Sequence, residues 1–212
     1  MRVMQFNIDL DTVDPNGVFE DQTGSGAGEM TLDGAGVVGG EWIATDGLAR
    51  QLGFESSGDI NTVVFTITGF ADVARNFPLS ETVTGVNSDT VESAEYFYVV
   101  TSITRSATIG TNVEVGAVDE AATKIIPINW RADNISLLAE VTGTVNYTLQ
   151  QTFDNVQTST AITWANVDDS NFVSATATAT GNLNTIPVAM RMIINSHSAG
   201  AAVKLSISHS DI

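Results

Sequence analysis

Apolar and polar residues alternate from the first positions of this 212-residue chain. Met4, Phe6, Ile8 and Leu10 are separated by Gln5, Asn7 and Asp9, a period of two that predicts a half-buried strand at the start of the chain. Similar runs follow: "INTVVFTITGF", "EYFYVVTSIT", "NVEVGAV", "ISLLAEVTGTVNYTLQQTF", "AITWANV" and "VAMRMIINS". They are rich in Val, Ile, Thr and aromatics, which suit a pleated surface, and Gly, Asn, Asp, Ser and Pro separate them. No long segment has the 3.6-residue period of an amphipathic helix. About twelve short strands with frequent turns predict an all-β chain, an antiparallel β-sandwich or jelly roll. The uncharged "VSATATATGN" needs a covering neighbour or another subunit, because such an edge invites aggregation.

Part of the pattern occurs twice. A shift of 90 residues brings Ile103 onto Ile193, Ser106 onto Ser196, Gly110 onto Gly200, Val113 onto Val203 and Val115 onto Leu205. Each copy is a β-rich run, a Ser, a turn Gly and a second alternating run, which predicts a repeated hairpin. Upstream, "NTVVFTI" at 61–67 resembles "GTVNYTL" at 143–149. Two related halves of the sandwich are therefore expected, 41–120 and 121–212, preceded by an acidic, Gly-rich segment at 1–40 that carries the first strand. That strand either completes its own sandwich or acts as an arm on another subunit, with Met4, Phe6, Ile8 and Leu10 as the candidate subunit-contact residues.

Charge changes the picture of partners. Lys and Arg total 8 against 25 acids, a net of −17, which repels phosphate backbones and argues against nucleic acid. Residues 1–60 hold 11 acids and two Arg, whereas 121–212 hold six acids and four basic residues. That asymmetry suggests one face for contact and one for solvent, unless the Gly-rich stretch is simply a flexible connection. No apolar run approaches the ~20 residues of a membrane span. "MRVMQFNIDLD" lacks the apolar core of a signal peptide, and the chain has no cysteine for disulfides or thiolate metal sites.

Candidate chemistry is sparse. Gly34, Gly36 and Gly39 match G-x-G-x-x-G, but no βαβ unit surrounds them, so loop or bulge glycines are expected. Asp9, Asp11, Asp14, Asn16, Glu20 and Asp21 offer oxygen ligands without calcium-loop spacing, and "DPNG" is a turn signal. His197 and His209 each sit between two serines; Ser208, His209 and Asp211 lie on one strand and cannot converge as a triad. Both histidines are expected to be turn or strand-edge residues that function does not need. Neither an enzyme nor a cofactor is indicated. Trp42, Trp130 and Trp164 could stack on sugars, the mark of a carbohydrate- or receptor-binding module of a tail or fibre, or fill a sandwich core.

"SETVTGVNSDTVESAEYFYVVTSIT" at 80–104, "IPINW" at 126–130, "VTGTVNYTLQQTFDN" at 141–155 and the terminal Ile/Ser/Gly run together resemble virion structural proteins of tailed bacteriophages, of the head decoration or cement type. The resemblance spans about 80–212; residues 1–60 have no counterpart in it. It implies a capsid-decorating β-sandwich with no catalytic residues, made in the host cytoplasm and carried in the virion. It also implies self-association, trimer favoured over dimer, and binding to the lattice of the major capsid protein.

Overall fold

The computed structural model describes residues 2–128, 132–157 and 162–211. The chain opens with β1 (Arg2–Asp9). Ten strands follow: β2 (Phe19–Gly24), β3 (Gly28–Glu29), β4 (Val37–Val38), β5 (Glu41–Ile43), β6 (Ala49–Ser56), β7 (Val64–Phe70), β8 (Pro78–Thr84), β9 (Thr90–Glu92), β10 (Val99–Arg105) and β11 (Ile109–Ala122). The last seven are β12 (Ile126–Pro127), β13 (Ala132–Thr142), β14 (Val145–Thr152), β15 (Ala165–Asn166), β16 (Ala179–Leu183), β17 (Ala189–His197) and β18 (Ala202–Asp211). The helical content among the described residues is one 3-10 turn, Ser170–Phe172. The all-β expectation holds.

Two compact units divide the chain. A nested unit is continuous, Val13–Ala121; a split unit joins Met1–Thr12 to Ala122–Ile212. The units meet in sequence at Ala121/Ala122, and residues 1–40 are divided between them. Residues 1–12 belong to the split unit and 13–40 to the nested one. Backbone pairing decides this, since β1 bonds β18 along its whole length, from Arg2↔His209 to Asp9↔Ala202.

The nested unit is a sandwich of two sheets, in the orders β2-β11-β6-β9 and β5-β10-β7-β8, the second widened by β4 beside β5 and β3 beside β10. Inward residues of both sheets form one core: Leu52, Phe54, Val113 and Val115 from the first, Phe65, Ile67, Val100 and Ile103 from the second. The rings of Phe54 and Phe65 meet at 5.0 Å, tilted by 38°. Each such side chain stabilises the fold by roughly 1.5–3 kcal/mol on leaving water.

The split unit repeats this arrangement. Its sheets run β1-β18-β13-β16 and β12-β17-β14-β15. Taking the eight common strands of each unit in chain order, the first pairs with the eighth, the eighth with the third, and the third with the sixth. In the other sheet the second pairs with the seventh, the seventh with the fourth, and the fourth with the fifth. That is a jelly-roll order, and it is the same in both units. The nested unit is inserted between the first and second strands of the split one.

The duplicated "hairpins" are corrected by this topology. β10 and β11 lie in different sheets of their unit, and β17 and β18 do likewise, so each pair arches from one layer to the other. The expected alternation is present, but each strand bonds within a different layer from its sequence neighbour. A hydroxyl marks the same corner in both copies. The Val64 N–H donates to Ser106 Oγ (2.8 Å) and the Ser106 N–H to the Val64 carbonyl (2.9 Å). The Thr144 N–H donates to Ser198 Oγ (3.4 Å) and the Ser198 N–H to the Thr144 carbonyl (2.9 Å). Ser106 therefore corresponds to Ser198, not to Ser196, because β17 carries two more residues than β10 before its corner.

The Gly-rich stretch is folded, not a flexible connection. Gln22 ties it down, donating to the Thr31 carbonyl (2.6 Å) and accepting from the Thr31 N–H (3.0 Å). Met30 is buried, and its N–H donates to the Ile103 carbonyl at 2.8 Å. At Gly34 a Cβ would lie 2.4 Å from the Gly17 backbone, so the two segments can touch only without a side chain. Gly39 and Gly40, with φ of +66° and +87°, make the two-residue turn between β4 and β5. The G-x-G-x-x-G match is close packing and a turn.

Candidate contact surfaces

The four residues singled out on β1 share one side of their strand. Ile8 and Leu10 are buried, Met4 and Phe6 half-buried, and Gln5, Asn7 and Asp9 exposed. Lys124 lies over the Phe6 ring, 5.7 Å from its centre. These residues face the interior of their own split unit.

The outer face of the β1-β18-β13-β16 sheet is polar and nearly neutral. Its cross-strand rows are Val3, Ser208, Ser136 and Asn182; Gln5, Ser206, Leu138 and Thr180; and Asn7, Lys204 and Glu140. Ser136 Oγ donates to Asn182 Oδ1 (2.7 Å), and Gln5 Nε2 to Ser206 Oγ (3.4 Å). Lys204 and Glu140 form an exposed ion pair at 2.8 Å. Beside them is a shallow depression of about 230 Å³, lined by Asn7, Asp9, Thr142 and Ala202 among others. It brings together amides, hydroxyls and a paired charge, with no nucleophile–base geometry.

The corresponding sheet of the nested unit is acidic. Burial pushes the Glu114 carboxyl up, and Glu55, Asp21, Asp14 and Glu20 add like-charge repulsion. Burial likewise raises Glu120, with Glu92 and Asp119 contributing. Over the whole unit 17 acids face three arginines, a net of −14; the split unit holds 8 acids and 5 basic residues, a net of −3.

The remaining candidates are dispersed. Trp42 is a core residue, 5 % exposed, and Trp130 lies outside the described residues. Trp164 is half-buried, with the Arg191 guanidinium 4.5 Å from its ring centre and Arg191 Nε donating to Gln150 Oε1 (2.9 Å). That cation occupies a ring face a sugar would need. His197 sits at the end of β17, where Nδ1 lies 3.2 Å from the Ser198 carbonyl. His209 is not an edge residue; it is 2 % exposed on the inward side of β18, and Ser208 points the other way. Asp14 Oδ1 accepts from the Asn16 N–H (3.3 Å), which makes "DPNG" a capped turn. Among the described residues no group of three His, Asp or Glu side chains is arranged to hold a metal ion.

The pattern-based reading missed one buried polar site. Arg50 is 3 % exposed, pairs with Asp46, and donates to the Asp119 carbonyl (3.0 Å). A lone arginine inside the apolar "GLARQLGF" was the available signal. No family model matches the chain, and no curated protein matches it either.

Proposed function

We propose that this chain is a structural protein of a bacteriophage virion, a decoration or cement protein that self-associates and binds the lattice of the major capsid protein. The observation that carries the reading is the nested pair of jelly rolls with the charge set almost entirely on one of them. A duplicated sandwich supplies two stiff surfaces. The acidic unit keeps free subunits soluble, and the near-neutral unit can be buried at low electrostatic cost. Many weak attachments to a repeating shell add as avidity, so no single contact needs to be strong. The fold alone does not choose this role, because jelly rolls also serve lectins and enzymes; the resemblance of 80–104 and 141–155 to phage decoration proteins adds support to the charge asymmetry.

The test is co-sedimentation of the purified chain with capsids stripped of accessory proteins, followed by imaging of the decorated particle. Saturable binding with density at repeating lattice positions is expected. Failure to bind, together with glycan-specific binding on an array, would replace this reading with that of a carbohydrate-binding module.

A further inference from the structure

Among the described residues, strand edges are protected in all cases but one of any length. β4, β12 and β15 have two residues each, β9 has three, and β2 carries Glu20 and Asp21. β8 begins with Pro78 and holds Glu81; β16 has five residues. Short length, proline and charge are the usual devices that stop an edge from pairing. β1 is neither short nor interrupted by proline, and its charges, Arg2 and Asp9, stand only at its ends: it has eight residues, with the uncharged run Val3, Met4, Gln5, Phe6, Asn7 and Ile8 between them. Among the described residues its one bonded neighbour is β18.

The free groups of that edge can be assigned. The Leu10 N–H donates to the Ala201 carbonyl at 3.0 Å, so the even-numbered residues point their backbone groups at β18. By the alternation of an antiparallel ladder, the N–H and C=O of Val3, Gln5, Asn7 and Asp9 point outward. On the inward side, Met4 and Phe6 stay half-exposed where the sheet ends.

We infer that the β1 edge is a docking surface for a second copy of this chain, joined antiparallel about a two-fold axis through Phe6. Inward residues must meet inward residues, and the register centred on Phe6 satisfies the most outward groups. It sets Gln5 against Asn7 of the other copy and Val3 against Asp9 in bonded pairs, about eight backbone hydrogen bonds in all. Phe6 then meets its own copy and Met4 meets Ile8, in the closer non-bonded pairs. Charge selects the copy's orientation: the split unit carries −3 and the nested unit −14, so two chains approach best through their split units. One strand pair buries less than the ~800 Å² per partner of a standard interface, so the dimer should be weak, on the order of 10–100 µM.

This contact concerns self-association only and stands or falls apart from capsid binding. Sedimentation equilibrium of the full chain from about 1 to about 500 µM should give a monomer–dimer equilibrium that tightens with added salt. Gln5→Pro removes an outward N–H without touching the β18 ladder and should weaken dimerisation at least about tenfold with thermal unfolding unchanged; Gln5→Ala should have little effect. If Gln5→Pro fails to fold, Asn7→Lys guards the same edge and should give the same loss. The register is read by Phe6→Cys in this cysteine-free chain. Its two Cα atoms would lie about 4.5 Å apart, within disulfide range, so oxidation should yield covalent dimer, and Asn7→Cys should not. A strict monomer at the highest concentration, a trimer indifferent to both edge variants, or cross-linking by Asn7→Cys rather than Phe6→Cys would each overturn the inference. Retained capsid binding by a monomeric Gln5→Pro chain would leave the capsid-binding part of the proposed function intact.

Discussion

The two jelly rolls share a strand order and differ in almost everything a surface can vary. The nested unit concentrates acids on its β2-β11-β6-β9 sheet and buries an ion pair, Arg50 with Asp46. The split unit presents Ser, Thr, Asn and Gln on the matching sheet and leaves β1 unguarded at its edge. A sandwich needs only its inward positions to be apolar, so outward positions are free to diverge after duplication. One copy carries a net charge of −14 and the other −3.

The sharpest way to break the comparison is to attack the buried ion pair of the nested unit. Arg50→Ala should destabilise the nested unit by about 3–5 kcal/mol in chemical denaturation, because it leaves Asp46 buried without its partner. A loss below about 1 kcal/mol would mean that the pair is solvated. Next come matched core positions. Counted from the Val64–Ser106 and Thr144–Ser198 corners, Ile67 corresponds to Tyr147, and both are fully buried. Truncation of either to Ala should cost about 2–5 kcal/mol, and similar values would support equivalent packing in the two copies.

Smaller effects test the shared corner. Ser106→Ala should cost about 1 kcal/mol and Ser198→Ala less, since the Ser106 hydroxyl accepts at 2.8 Å and the Ser198 hydroxyl at 3.4 Å. Equal costs would argue that the hydroxyls do not carry the corner. The smallest effect is electrostatic. Glu114 and Glu120 have folded pKa values raised above the unfolded ones, so the native state holds their protons more tightly. Their contribution is most favourable below the ordinary glutamate range and is lost as pH rises through the raised values. Thermal scans should therefore show the wild type gaining stability from pH 7 toward pH 5 relative to Glu114→Gln, whose own curve should be flatter. A variant with the same pH slope as the wild type would remove Glu114 from the account.

The sequence alone determined that the chain is all-β, that β1 is amphipathic, and that related strands recur near residues 103 and 193. Each of these depends on side-chain alternation, which is local and survives without knowledge of neighbours. Trp42 could be read either as core or as ligand platform, and only packing decided for the core. Pairing was not legible. The run from 95 to 119 looks like a hairpin because two strands and a turn are close in sequence, yet its strands join different layers. Nor could the insertion of one unit inside the other be seen: β1 and β18 are separated by nearly the whole chain and are brought together by backbone hydrogen bonds that carry no residue signature. The Gly-rich stretch misled for a related reason. Its glycines look flexible in sequence, but Gly34 is small because Gly17 passes against it, a contact that exists only once both segments are folded.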